Sequence, residues 1–186
     1  AVIFTWQAAG TTDFQPGGIL DGKLSAAALA GLLALYMFGI GKAALMPFHR
    51  WLPAAMVAPT PVSALLHAVA VVKAGVLLAA VRVFGPARLA SPMLELVAVL
   101  PLVSIVWGNL AAMRQPNLRR MIAYSSIAHA GYLFYALLGE PAGRLQAVAF
   151  YVLAYGLLNL LAFAALPAAD DDRERDRLDN LKGLFQ

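Results

Sequence analysis

Long apolar runs alternate along this chain with short segments rich in charge, proline or glycine. A helix needs roughly 20 apolar residues to cross about 30 Å of hydrocarbon, and most of these runs approach or exceed that length. The pattern therefore predicts an all-α, polytopic transmembrane helix bundle. The predicted spans, about five in number, are 24–46, 62–84, 92–113, 121–138 and 145–166.

The segments outside the spans are predicted to be connections and ends. Residues 1–23 contain Gly, Pro and Asp turn signals and are predicted to form a loop. Residues 169–186 are highly charged and should leave the membrane on the cytoplasmic side. No connection is large enough for a second domain, so 1–186 is predicted to be a single transmembrane domain. The chain starts without Met, on an apolar stretch, which suggests a fragment or a processed product.

The first span is predicted to break at Pro47, because proline lacks the backbone N–H that a helix interior requires. The segment that follows, PFHRWLPAAMVAPTP, is short, aromatic and basic. Such a composition is typical of an interfacial or re-entrant connector.

The distribution of Lys and Arg predicts the orientation of the bundle, because cytoplasmic loops carry an excess of them. Alternate connections give four such residues on one side and eight on the other, and the C-terminal tail supplies four of the eight. The side with more Lys and Arg is predicted to be cytoplasmic, which places the start of the chain outside.

The composition of the chain limits the classes of protein and of functional site that are possible. Hydrophobic residues make up 61% of the chain and charged residues 13%, against about 45–50% and 25% in soluble domains. The net charge of +4 falls mostly in connections, where it indicates topology, and predicts no nucleic-acid partner. The chain has no Cys, which excludes disulfides and thiolate-bound metals or clusters. Its three His residues are far apart in sequence, so neither a metal site nor a cofactor nor a catalytic constellation is predicted.

Two lysines within predicted spans are the main chemical candidates. A charged amine near mid-bilayer costs roughly 2.5–3.5 kcal/mol on insertion scales, so it should face protein or water. Such an amine could load and release protons near neutral pH. Lys73 lies near the middle of its span, where its alternative role is a structural ion pair. Lys42 lies one turn before Pro47 and could instead extend to the nearby interface.

Polar side chains on the later spans form a second candidate functional site. Ser125 and His129 are four residues apart and share a helix face, as do Tyr151, Tyr155 and Asn159. Together they could form a polar seam that carries water between helices. The alternative is that they only hold helices together by hydrogen bonding. His67 is six residues from Lys73 and lies on a different face, so the two could link different neighbouring helices. The alternative is that His67 is only a hydrogen-bonded packing residue.

Two motifs resemble a known family. The stretch GKAALMPFHRWLPAAMVAPTPVSALLHAVAVVKAGV follows the pattern G-K-x-x-x-x-P-x-H-x-W-L-P and then A-P-T-P-V-S-A-L-x-H-A. It resembles the antiporter-like, proton-conducting subunits shared by respiratory complex I, Mrp-type cation/proton antiporters and membrane hydrogenases. The similarity continues through NLRRMIAYSSIAHAGY and covers nearly the whole chain, which would correspond to a middle portion of such a subunit.

The resemblance implies a proton relay formed by Lys42, His67, Lys73 and His129. Lys42 matches the broken-helix lysine of the family, and Lys73 a lysine on the next helix. The front half resembles Mrp-like or distal complex I subunits. The back half, with His129, resembles the N-type subunit. In the distal type, two histidines and a lysine would stand where this chain has tyrosines and an asparagine, so a route there would need water and hydroxyls.

The resemblance implies proton or cation/proton translocation by a multi-pass subunit of an NADH:quinone oxidoreductase-type or Mrp-type complex, in a bacterial inner membrane. Its partners would be other membrane subunits, the lipid bilayer, and protons or monovalent cations. Electron transfer would belong to partner subunits, so whether the chain is part of an enzyme, as a translocase subunit, stays open. The alternative is a structural or assembly subunit with no transport role of its own.

Overall fold

The computed structural model describes residues 1–13, 15, 18–20, 22–39, 44–57, 60–65, 92–138 and 141–166. Every element of regular structure in these ranges is helical, as predicted. The α-helices are α1 (Val2–Ala9), α2 (Ala26–Gly39), α3 (Trp51–Ala54), α4 (Thr60–Leu65), α5 (Pro92–Met113), α6 (Leu118–Leu137) and α7 (Pro141–Ala164), and a 3-10 turn covers Ala55–Val57.

The N-terminal segment differs from the predicted loop, because Val2–Ala9 is helical. Gly10 ends this helix with a left-handed backbone, φ 75°, which glycine adopts without steric cost. The ammonium of Lys23 donates to the carbonyl oxygen of Ala9 at 2.8 Å. This carbonyl belongs to the last residue of α1, where a helix leaves its carbonyls without partners of its own. Inside the segment, the buried hydroxyl of Thr5 lies 2.9 Å from the hydroxyl of Tyr36, which ties α1 to α2.

The predicted first span, 24–46, is described in part, since residues 40–43 lie outside the described residues. The amide of Ala28 donates to Ser25 Oγ, a side-chain cap that helps to fix the start of α2. The helix is described to Gly39, Ala44 and Leu45 are not helical, and Met46–Arg50 form a turn. Pro47 therefore lies outside α2, in the connector that α3, the 3-10 turn and α4 continue.

The three long helices overlap the predicted third, fourth and fifth spans. α6 begins at Leu118 because the Asn117 side chain accepts a hydrogen bond from the amide of Arg120, at 3.1 Å. The predicted second span, 62–84, is described only to Leu65, the last described residue of α4.

Two glycines allow α5 and α6 to cross with their backbones in contact. A Cβ on Gly108 would lie 2.7 Å from the amide nitrogen of Ala128, and one on Gly131 would lie 2.7 Å from the carbonyl oxygen of Pro101. Small residues permit this approach, which is a common mode of helix packing in membranes. The crossing fixes the rotation of α6, and therefore which of its side chains face α7.

Apolar side chains lie both inside and outside the bundle. The larger core cluster draws on α2, α3, α5, α6 and α7, and a smaller one joins α6 to the end of α7. On the outside, Leu153 of α7 is 75% exposed and Met113 of α5 is 83% exposed. By length and composition, one helix of the described part could cross a membrane, Gln146–Ala164, while Ala26–Gly39 and Val97–Met113 are shorter apolar helices.

Candidate functional site: a histidine–tyrosine cluster between α6 and α7

The helical repeat brings polar side chains of α6 and α7 together. On α7, Tyr151, Tyr155 and Asn159 follow one another at intervals of four residues and share a face. On α6, Ser126, His129 and Tyr132 follow at intervals of three. The two sets meet between the helices and form what is called here the histidine–tyrosine cluster.

His129 is the centre of this cluster. Its Nδ1 is hydrogen-bonded to the hydroxyl of Tyr151. Its ring is stacked on the ring of Tyr155, with centroids 3.9 Å apart and planes at 24°. The ring of Tyr132 meets it edge to face, with centroids 5.7 Å apart. Three phenols therefore surround one imidazole.

Tyr155 is held from its other end by a serine. Its hydroxyl lies 2.8 Å from Ser126 Oγ, and Ser126 Oγ donates to the carbonyl oxygen of Ile122 at 3.0 Å. Either hydroxyl of the Tyr155–Ser126 pair could be the donor in the bond between them.

Asparagines lie at both ends of the cluster. Asn159 is buried, and its Nδ2 donates to the carbonyl oxygen of Tyr155 at 2.8 Å. Asn109, on the exposed side of α5, donates to the carbonyl oxygen of Ile105 at 2.9 Å and approaches the Tyr132 hydroxyl at 3.5 Å.

Burial increases from one end of the cluster to the other. Tyr132 is 40% exposed, His129 and Tyr151 are half-buried, Tyr155 is 7% exposed and Ser126 is fully buried. His129 thus lies between the more exposed Tyr132 and the buried Ser126. A neutral imidazole has one donor and one acceptor nitrogen, so such a ring is able to take part in proton exchange.

The structure brings together four of the residues predicted to form the seam or relay: His129, Tyr151, Tyr155 and Asn159. Ser125 is half-buried, and its neighbour Ser126 supplies the hydroxyl of the cluster instead. Tyr132 and Asn109 also join it without having been predicted. Tyr132 could have been predicted from the sequence, because it follows His129 by three residues on the same helix.

The remaining predicted relay residues, Lys42, His67 and Lys73, lie outside the described residues. The connector beside Lys42 is described from Ala44 onward. There the amide of Met46 donates to Ser104 Oγ at 3.0 Å, and Ser104 Oγ donates to the carbonyl oxygen of Leu100 at 3.1 Å. This pair of hydrogen bonds anchors the segment around Pro47 to α5.

His49 lies in the turn after Pro47, outside the membrane-spanning helices. Burial lowers the pKa of His49 below its ordinary value of 6.5, and the charge of Arg50 acts in the same direction, while a hydrogen bond to the Pro47 backbone acts against them. Its Nδ1 is a buried nitrogen with no hydrogen-bond partner among the described atoms. Both observations favour the neutral imidazole at this position.

No group of three or more His, Asp and Glu side chains that could hold a metal ion occurs in the part of the chain that the structure describes. The side chains of the cluster are hydroxyls, an imidazole and amides. These groups can exchange protons and order water.

Comparison with known proteins gives one family. A family described as "NADH:quinone oxidoreductase/Mrp antiporter, TM" matches residues 1–186.

Curated relatives include two types of subunit. The chain is 44% identical over 167 residues to NADH-quinone oxidoreductase subunit N of Methylococcus capsulatus, and the match covers 85% of the chain and 33% of that protein. It is 41% identical over 133 residues to subunit L of Pseudomonas aeruginosa, covering 72% of the chain and 21% of that protein. The chain spans about a third or less of these relatives.

Two solved structures of respiratory membrane complexes contain chains that are similar to this one. A chain of respiratory complex I from Thermus thermophilus with bound aureothin superposes with a TM-score of 0.64 at 40% identity, over 89% of this chain and 35% of that one. A chain of the membrane-bound sulfane sulfur reductase, an archaeal respiratory membrane complex, also gives a TM-score of 0.64, at 29% identity, over 89% of this chain and 34% of that one.

Proposed function

This chain belongs to the NADH:quinone oxidoreductase/Mrp antiporter transmembrane family, and we propose that it forms part of an antiporter-like subunit that translocates protons. The family and the transmembrane helix-bundle fold that the motifs predicted are confirmed. The relatives named above are subunits of NADH-quinone oxidoreductases, and both superposed structures are respiratory complexes. On that basis the partners are other membrane subunits, and the location is a bacterial inner membrane.

The hydrogen bond between His129 Nδ1 and the Tyr151 hydroxyl carries this proposal. It places a titratable ring against a phenol between two helices whose other side chains are mostly apolar. Ionisable groups inside a membrane bundle are costly and commonly mark ion or proton pathways. In this proposal Lys42 and Lys73 load protons, and His67 and His129 relay them.

A second function, structural support of the complex, has an observation in its favour. Ser126, Asn109 and Asn159 each donate to a backbone carbonyl four residues earlier in their own helix. Such bonds satisfy a polar group locally and need no transported ion. A chain whose polar groups all served packing would act as an assembly element of the complex.

Measuring proton flux beside assembly separates the two functions. Lys42→Ala and Lys73→Ala are introduced separately into the complex that contains this chain, which is then reconstituted in vesicles with a pH-sensitive dye. Translocation predicts that flux is abolished while a native gel shows intact complex. Loss of the complex on the gel would support the structural function, and unchanged flux in both variants would refute the relay.

A further inference from the structure

We propose that Ser104 of α5 is a positioning residue for Lys42, an inference that rests on the proposed function. The Ser104 hydroxyl holds the backbone that follows Lys42 in the chain, and in this way it sets where the lysine amine lies relative to α5. Lys42 lies outside the described residues, whereas the segments before and after it are described. Contacts of those two segments support this role.

The Ser104 hydroxyl is hydrogen-bonded to two backbone atoms. Ser104 is fully buried, and its Oγ accepts from the amide of Met46 at 3.0 Å and donates to the carbonyl oxygen of Leu100 at 3.1 Å. A backbone amide can only donate and a carbonyl oxygen can only accept, so the direction of each bond is fixed. The bond to Leu100 orients the hydroxyl on α5, and the bond from Met46 ties the connector to that hydroxyl.

The backbone that Ser104 holds is strained and close to Lys42. Ala44 is two residues after Lys42, so their Cα atoms are no more than about 7 Å apart in any conformation of the chain. Ala44 has a φ of 53°, in the left-handed region that is sterically costly for a residue with a Cβ. Such a conformation persists only where the surrounding structure holds it. Burial of Ala44 and Leu45 in the core supplies part of this support, and the hydrogen bond at Ser104 supplies another part.

The segment before Lys42 contacts the segment after it. Phe38, in the last turn of α2, and Phe48, in the turn of the connector, have ring centroids 6.1 Å apart and ring planes at 85°. Two positions ten residues apart in one straight helix would be separated by about 15 Å along its axis. The aromatic pair thus holds the two segments to each other, while Ser104 holds them to α5. Loss of the Ser104 bond should therefore shift both segments relative to α5, and Lys42 with them.

The test measures proton flux as a function of pH in the complex that contains this chain, reconstituted in vesicles. Ser104→Ala removes the acceptor of the Met46 amide and should lower flux by about tenfold or more, through misplacement of the lysine amine. Because protonation of an amine depends on its burial and its neighbours, the pH of half-maximal flux should also shift, by about 0.5 or more. Ser104→Thr keeps a γ-hydroxyl and should retain most of the flux and the original midpoint.

Ser25→Ala is the matched control for stability. It removes the hydroxyl that accepts from the amide of Ala28 at the start of α2, at the other end of the helix that precedes Lys42. Loss of this cap should lower the melting temperature of the complex without altering the connector. The pH of half-maximal flux should therefore be the same in Ser25→Ala as in the unmodified complex.

The outcomes distinguish this inference from the function on which it rests. If Ser104→Ala keeps the flux and the midpoint of the unmodified complex while Lys42→Ala is impaired, Ser104 does not position Lys42. A loss of flux by the same factor at every pH, or loss of the assembled complex on a native gel, would assign Ser104 to structural support and overturn the inference. Equal losses in Ser104→Thr and Ser104→Ala would show that the hydroxyl is not the group that matters. Full flux in Lys42→Ala would instead refute the relay itself.

Discussion

The imidazole of His129 lies against the phenol ring of Tyr155, with ring centroids 3.9 Å apart. This contact places a ring that can carry charge on an aromatic face, which attracts cations. The hydroxyl of Tyr151 holds the Nδ1 edge of the same imidazole. The imidazole is therefore contacted by two tyrosines one helical turn apart on α7.

We predict that Gly108→Ala destabilises the bundle. The new Cβ would lie 2.7 Å from the amide nitrogen of Ala128 and 2.9 Å from the carbonyl oxygen of Tyr124, both of which are backbone atoms. The helices must move apart, at a cost of about 1–3 kcal/mol for such overpacking. A lower melting temperature of the detergent-solubilised complex is the expected result.

Gly31→Ala in α2 is the control for this prediction. A Cβ at Gly31 meets no atom within 4 Å, and alanine is a better helix former than glycine. Its melting temperature should equal or exceed that of the unmodified complex. Equal destabilisation by both variants would show that the α5–α6 crossing does not depend on close contact at Gly108.

We predict that Ser104→Ala loosens the segment around Pro47. The substitution removes the acceptor of the Met46 amide, which is 3.0 Å from Ser104 Oγ. Leaving a fully buried donor unsatisfied costs about 1–3 kcal/mol, and Met46 is half-buried, so the cost here should lie at the lower end of that range. Hydrogen–deuterium exchange should accelerate at Met46, and the neighbouring substitution Val103→Ala, on the exposed side of α5, should not change it. Unchanged exchange in Ser104→Ala would mean that this hydrogen bond does not anchor the connector.

We predict that His49 makes the complex less stable in acid. Because burial lowers the pKa of His49 in the folded state, the unfolded chain binds more protons at pH values between that lowered pKa and 6.5. Stability should fall as the pH decreases through this window, and His49 should have no such effect well above 6.5. Melting temperatures measured at about pH 5 and about pH 8 test this.

Two substitutions check the cause of this pH dependence. His49→Gln should reduce the difference in melting temperature between the two pH values. Arg50→Gln should reduce it in part, because the Arg50 charge contributes to the lowered pKa of His49. A difference that persists in full in His49→Gln would assign the acid sensitivity to another group.

Periodicity predicted most of the described fold because the long apolar helices carry strong signals. The helices α5, α6 and α7 overlap three of the predicted spans. The short helix α1 was missed because eight residues followed by Gly and Pro give little periodicity. The non-helical backbone at Ala44 and Leu45 was also missed, since the apolar run continues to Met46 and composition alone does not mark where a helix stops.

The choice between two serines shows where spacing stops being informative. At about 100° per residue, Ser125 lies about 40° to one side of His129 and Ser126 about 60° to the other. Both positions are compatible with a polar cluster at His129. The close approach of α5 at Gly108 and Gly131 sets the rotation of α6, and it leaves Ser126 beside Tyr155. Tertiary packing decides this, and the sequence of α6 alone does not contain it.

The direct test of the central claim is proton translocation by the His129→Gln variant of the complex that contains this chain. Glutamine keeps hydrogen-bonding capacity but does not titrate near neutral pH. The account predicts a loss of proton flux by about tenfold or more, with assembly intact on a native gel. His49→Gln, the same substitution in the connector, is the matched control and should keep its flux near neutral pH. Full proton flux in assembled His129→Gln complex would contradict the account.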